Sequence, residues 1–179
     1  MSGRSLAGAA LAAGHRTAWQ PWLTTAARVM LATVWLVAGA AKVGDLAGSG
    51  RTVNAYHLLP YDVATAVGAG LPVVEIALGA LLLVGLLTRL LAGVSATLLV
   101  AFIAGIAWVW AHGYRIDCGC FGGGGELGAG QRPSYGLDLL RDLAFLALAG
   151  FLLARPRGWL AFDNWLYREP QLPSGRGNR

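Results

Sequence analysis

The chain has 179 residues, 56% of them hydrophobic and only 13% charged, with a mean hydropathy of +0.56. An average soluble domain carries about 25% charged residues, so the composition excludes an ordinary water-soluble globule and describes an integral membrane protein. The formal charge of +5 and the pI near 9.8 do not indicate nucleic acid, because the arginines stand at the edges of apolar runs and not on an aromatic-interleaved polar face.

Residues 1–21 read as a cytoplasmic tail. The stretch Leu6 to Ala13 behind Arg4 is short and alanine-dominated for a signal-peptide core, and His15-Arg16 stands between it and a full span. The first span is expected at about 22–43, since about twenty helical residues cross a bilayer core of about 30 Å. Arg28, about two turns inside, is expected to snorkel to the headgroups. Lys42 at the far end either snorkels too or turns into the bundle and pairs with a carboxylate.

A polar connection follows, with an interfacial helix expected at Thr52 to Leu59, stopped by Pro60. His57 within it reads either as a solvated loop histidine or as a proton carrier beside the thiols described below. The second span, about 66–87, contains Pro72, which is expected to kink it and free a carbonyl that a neighbouring span accommodates. Glu75 is an acidic residue deep in an apolar run. A carboxylate there faces the bundle interior, either as a structural tie to a cation or as a proton acceptor that tunes the thiols. The third span, about 91–111, ends in Trp108 and Trp110 at an interface, with Ala101 and Gly105 spaced for close helix contact.

The next loop, 113–136, carries both cysteines of the chain in Asp117-Cys118-Gly119-Cys120-Phe121-Gly122, with glycine continuing to Gly125. Two cysteines are too few for a disulfide framework and lack the spacing of a zinc site. One glycine between two thiols permits closure of a small disulfide ring, strained and therefore labile. The glycine run is expected to let the thiols move. Arg115 and Arg141 are candidates to stabilise a thiolate and Asp117 opposes them, so the nucleophile stays open between Cys118 and Cys120. The fourth span, about 137–154, begins with Asp138 on the favourable end of the helix dipole. One turn in, Arg141 either pairs with Asp142 or directs its charge at the thiol loop. Residues 155–179 form a second basic cytoplasmic tail, disordered beyond about Glu169.

These readings combine into an all-α, polytopic fold, a four-transmembrane-helix bundle over residues 22–154. Arg4, Arg16, Arg28, Arg89, Arg155, Arg157, Arg168, Arg176 and Arg179 fall on one side, against Lys42, Arg51, Arg115, Arg132 and Arg141 on the other. The positive-inside rule puts both termini in the cytoplasm. The cysteine loop then lies on the extracytoplasmic face of the cell membrane, where disulfides persist.

Several stretches together carry a resemblance. Lys42 behind Ala38-Gly39-Ala40-Ala41, Tyr56-His57-Leu58-Leu59-Pro60, Leu71-Pro72-Val73-Val74-Glu75 with Gly79, Cys118-Gly119-Cys120-Phe121-Gly122 and Arg141-Asp142 resemble the methylamine-utilisation MauE family and its DoxX-like relatives. The likeness covers roughly residues 26–154. It implies a DoxX-like four-helix membrane fold and a redox association. It also implies a thioredoxin-like partner, the family's namesake serving maturation of a periplasmic, disulfide-rich amine dehydrogenase subunit.

Three functions follow as expectations. In the first, Cys118 and Cys120 are catalytic and exchange disulfides with a thioredoxin-like protein or an exported cysteine-containing client, with Glu75, Lys42, Arg141 and His57 in support. No second cysteine pair is present, so the partner supplies it, or a membrane quinone takes the electrons, or the protein is an accessory without turnover. The second is a soft-metal site for Cu(I) on the two sulfurs with His57 or His112. The third is a noncatalytic scaffold tied by Lys42 and Glu75.

Overall fold

A computed structural model describes residues 20–128 and 130–155. The two expected tails lie outside the described residues, apart from Gln20, Pro21 and Arg155. Helix α1 spans Gln20–Val43, α2 Leu46–Asn54, α3 Tyr61–Val84 and α4 Thr88–Ala111; after the two-residue strands β1, Ile116–Asp117, and β2, Gly125–Glu126, comes α5, Tyr135–Ala154. The described chain is therefore helical except for one antiparallel ribbon in the cysteine loop, pairing Ile116 with Glu126 and Asp117 with Gly125.

Three helices, α1, α3 and α4, are each 24 residues long and apolar enough to cross a membrane, a length of about 36 Å at the helical rise. Their outward faces expose Val37, Val73, Val84, Leu90 and Val100, apolar surface that suits lipid and not water. The protein is a multi-pass, helical membrane protein. Helix α5 occupies the segment expected as a fourth span, and differs from the others in carrying Asp138, Arg141 and Asp142 in its first half.

The packing is pairwise. Helix α1 lies against α3 and α4 against α5, whereas α3 and α4, neighbours in sequence, barely touch. Glycines set the α1–α3 approach: a Cβ on Gly39 would stand 2.8 Å from the Pro72 carbonyl, and one on Gly79 would stand 2.8 Å from the Ala32 carbonyl. The Pro72 carbonyl thus faces the bare backbone of Gly39, and α3 continues through Pro72 as one helix. Leu31, Leu82, Ala92 and Leu152 bring α1, α3, α4 and α5 into one core, where the Trp35 indole N–H donates to Ser95 Oγ at 2.9 Å.

Several expectations are corrected. Arg28 does not snorkel; it is buried in α1. The short helix sits earlier than 52–59, because Asp45 caps it by accepting from the Gly48 N–H at 2.7 Å. Pro60 instead precedes α3 as its N-cap residue, its fixed φ being suited to a helix start. Gly105 faces the Tyr56 ring, 3.2 Å from where its Cβ would be, and not another helix.

Candidate functional site

The cysteine loop folds back onto the helix ends. Tyr135, at the start of α5, holds its base: the phenol accepts from the Ile116 N–H at 3.0 Å and donates to the Tyr114 carbonyl at 2.6 Å. Leu127 N–H closes onto the Arg115 carbonyl at 2.9 Å. The glycine run is therefore shaped by the ribbon and does not leave the thiols loose. Gly119 and Gly122 take φ of +68° and +87°, the left-handed region that glycine enters freely, and Thr52 of α2 packs its methyl between Gly119 and Gly124.

This fold buries Cys118 and leaves Cys120 half-buried, both as free thiols. Arg141 reaches the loop from α5, its Nη2 lying 3.7 Å from Cys118 Sγ. Two carboxylates hold the guanidinium, Asp138 at 3.2 Å and Asp142 at 3.0 Å, and the Phe121 ring lies under it at 5.0 Å. The two sequence readings of Arg141, paired with Asp142 or turned to the thiols, are therefore both realised in one arrangement.

Cys120 also acts on Cys118, its thiol and its backbone N–H both favouring the Cys118 thiolate. The Cys120 thiol is the largest influence on Cys118, whose pKa falls to about 7, the backbone N–H and Arg141 adding to it against the opposing effect of burial. Cys120 moves the other way, its thiol held protonated by the bond it gives Cys118 and by burial. The sequence left the nucleophile open. The guanidinium beside Cys118 Sγ favours negative charge on Cys118 over Cys120.

Tyr56, quoted in the resemblance but given no role, is part of the same unit. Its hydroxyl donates to the Cys118 carbonyl at 3.0 Å, and burial raises its pKa far above the phenol range, so it remains a donor. His57 adopts φ of +53° and is exposed, its ring 5.0 Å from that of Tyr114. Arg115 donates to the Gln131 carbonyl and not to a thiolate. His112 lies on Trp108, with its Nδ1 2.9 Å from the Trp108 carbonyl. Among the described residues, no group of three His, Cys, Asp or Glu side chains comes together as a metal site.

Lys42 does not snorkel. It is buried, and its Nζ lies 2.6 Å from Oε1 of the fully buried Glu75, tying α1 to α3. Lys42 also lines, together with Cys118 and Cys120, a cavity enclosed by the end of α1, α2 and the connection after it, α3, α4 and the cysteine loop.

The family described as methylamine utilisation protein MauE matches residues 20–155, which include every helix above. Methylamine utilization protein MauE of Paracoccus denitrificans is 34% identical over 131 residues, 73% of this chain and 68% of that protein. No solved structure matches. With the family match spanning α1 to α5, the chain belongs to the MauE family.

Proposed function

We propose that the protein is a membrane thiol-disulfide exchange protein, accessory to maturation of an exported enzyme, and that Cys118 and Cys120 are its working pair. The relative's name supports methylamine utilisation as the setting. The observation that carries the reading is the polarised pair: Cys118 Sγ 3.7 Å from the Arg141 guanidinium with its pKa lowered to about 7, and Cys120 held protonated.

That asymmetry suggests a sequence of steps. In the oxidised protein, a thiolate of a thioredoxin-like partner attacks the more accessible Cys120 Sγ, and the Cys118–Cys120 bond breaks. Cys118 departs as the thiolate, a good leaving group because the low pKa of its thiol makes the thiolate a weak base. The partner's second thiol then attacks the mixed disulfide, gives up its proton, and leaves oxidised. Cys120 takes up a proton, and the protein is left with one thiolate and one thiol. In this reading α5 is a fourth membrane span, both termini are cytoplasmic, and the chemistry lies on the extracytoplasmic face. Lys42 and Glu75 serve as a tie between α1 and α3 that holds the platform, and His57 is assigned no part in the exchange.

Two measurements test the reading. Chemically oxidised protein mixed with a reduced thioredoxin-fold protein should pass on its disulfide one for one. In intact cells, a membrane-impermeant maleimide should label Cys120. Failure of exchange, or labelling only after the membrane is opened, contradicts the proposal.

A further inference from the structure

The cavity beside the thiols has a volume of about 450 Å³, within the range of small-molecule sites, about 300–1,000 Å³. Its wall changes character from one side to the other. Val67 of α3 and Ala101 of α4 are exposed at its margin, on the apolar surface that faces lipid, and Leu71, Leu98 and Phe102 continue it inward. Lys42, Cys118 and Cys120 form another part of the wall. Because α3 and α4 barely touch, the apolar margin lies where two membrane-spanning helices part.

Resting on the exchange reading above, we propose that this cavity binds the ring and first tail units of an isoprenoid quinone drawn from the bilayer, which oxidises the Cys118–Cys120 dithiol directly. Each exchange leaves a dithiol that must lose two electrons before the next. The chain has only two cysteines, so no internal second pair can take them. Exposed Asp45 and Arg51 stand on another part of the rim, and the apolar lips between α3 and α4 admit an acceptor that is lipid-soluble.

Lys42 supplies the polar recognition. Its ammonium has three N–H groups and gives Glu75 one hydrogen bond, at 2.6 Å, leaving donors for a quinone carbonyl. That oxygen gains negative charge as the ring is reduced, and a preplaced cation in a water-poor site stabilises it. An acyl chain, the other occupant an apolar cleft could take, offers no acceptor to this lysine.

The step balances. The Cys118 thiolate and the Cys120 thiol form the S–S bond and release two electrons and the Cys120 proton. The quinone takes the electron pair, that proton and one more from water, and leaves as the quinol.

The test uses the reduced full-length protein in nanodiscs without oxygen, given a short-tailed ubiquinone, whose fully substituted ring resists thiol addition. Both thiols should disappear as one quinol forms per chain. Ala101→Trp, which fills the margin, should weaken the apparent affinity for that quinone roughly tenfold. Binding is measured separately in a Cys118→Ser, Cys120→Ser chain with an azido-ubiquinone. Crosslinks should fall on α3 and α4 at the cavity and be displaced by ubiquinone but not by phospholipid.

Thiols that survive the quinone, while chemically oxidised protein still passes its disulfide to a reduced thioredoxin-fold protein, would overturn the quinone site and leave the exchange reading standing. Crosslinks spread over the lipid-facing surface, or displaced by phospholipid, would overturn it by making the occupant an acyl chain. Loss of both reactions would overturn both proposals.

Discussion

Lys42 and Glu75 face each other at 2.6 Å between α1 and α3, with Glu75 Oε2 buried and without a hydrogen-bond partner. Removing one charge strands the other, which costs about 3–5 kcal/mol for a buried pair. Glu75→Leu should therefore lower the detergent melting temperature sharply. The double variant Lys42→Met, Glu75→Leu should recover most of the loss, because the helices then meet through apolar surface. Equal losses in the single and double variants would show that the charges are not stabilising each other.

The second prediction concerns pH. A Cys118 pKa lowered to about 7 makes the thiolate the majority form above that value, whereas an ordinary thiol needs about 8.5. Alkylation at Cys118, followed site by site by mass spectrometry, should rise with a midpoint near pH 7. Each unit of acidification below that should slow it about tenfold. Cys120→Ala and Arg141→Gln should both move the midpoint up, the cysteine variant further, because the Cys120 thiol is the larger influence. A midpoint that neither change moves would contradict the assigned causes.

Gly119→Ala tests the loop. The residue would hold a non-glycine side chain at φ +68°, a strain of about 1–2 kcal/mol, and its new methyl would meet the Thr52 side chain. The variant should melt earlier and lose the low Cys118 midpoint, since the same turn presents the Cys120 N–H to sulfur. Gly123→Ala also has φ of +70° but open space around its Cβ, so it should suffer the strain alone.

The contrast between Arg115 and Arg141 shows how far the residues could be read without coordinates. Apolar runs of membrane-spanning length located α1, α3 and α4, and Glu75 stood out because a carboxylate in such a run needs a cation. The start of α3 was placed five residues late because Asp62 and Thr65 resemble loop chemistry, although Pro60 is well suited to precede a helix. Arg115 is three residues from Cys118 yet bonds to Gln131, while Arg141, 23 residues away, reaches the sulfur. The difference depends on Tyr135 folding the loop onto α5, a long-range contact without local periodicity. The Asp138–Arg141 pair went unread, although residues three apart share a helix face.

Trp35 and Ser95 offer a fourth prediction, in the bundle core. The indole N–H gives Ser95 Oγ a buried bond of 2.9 Å. Ser95→Ala leaves that donor unsatisfied, at a cost of about 1–3 kcal/mol. The double change Trp35→Phe, Ser95→Ala removes the stranded donor, so a double-mutant cycle on melting should show coupling between the two sites. Additive losses would mean that the bond contributes nothing.

The most direct test of the account is capture of a partner by chains with one cysteine. Cys118→Ala, purified from cells under acid quench, should carry a protein joined through Cys120 by a bond that reductant cleaves. Cys120→Ala, with only the buried Cys118, should carry far less. Capture through neither cysteine would contradict disulfide exchange, and capture mainly through Cys118 would contradict Cys120 as the sulfur that the partner attacks.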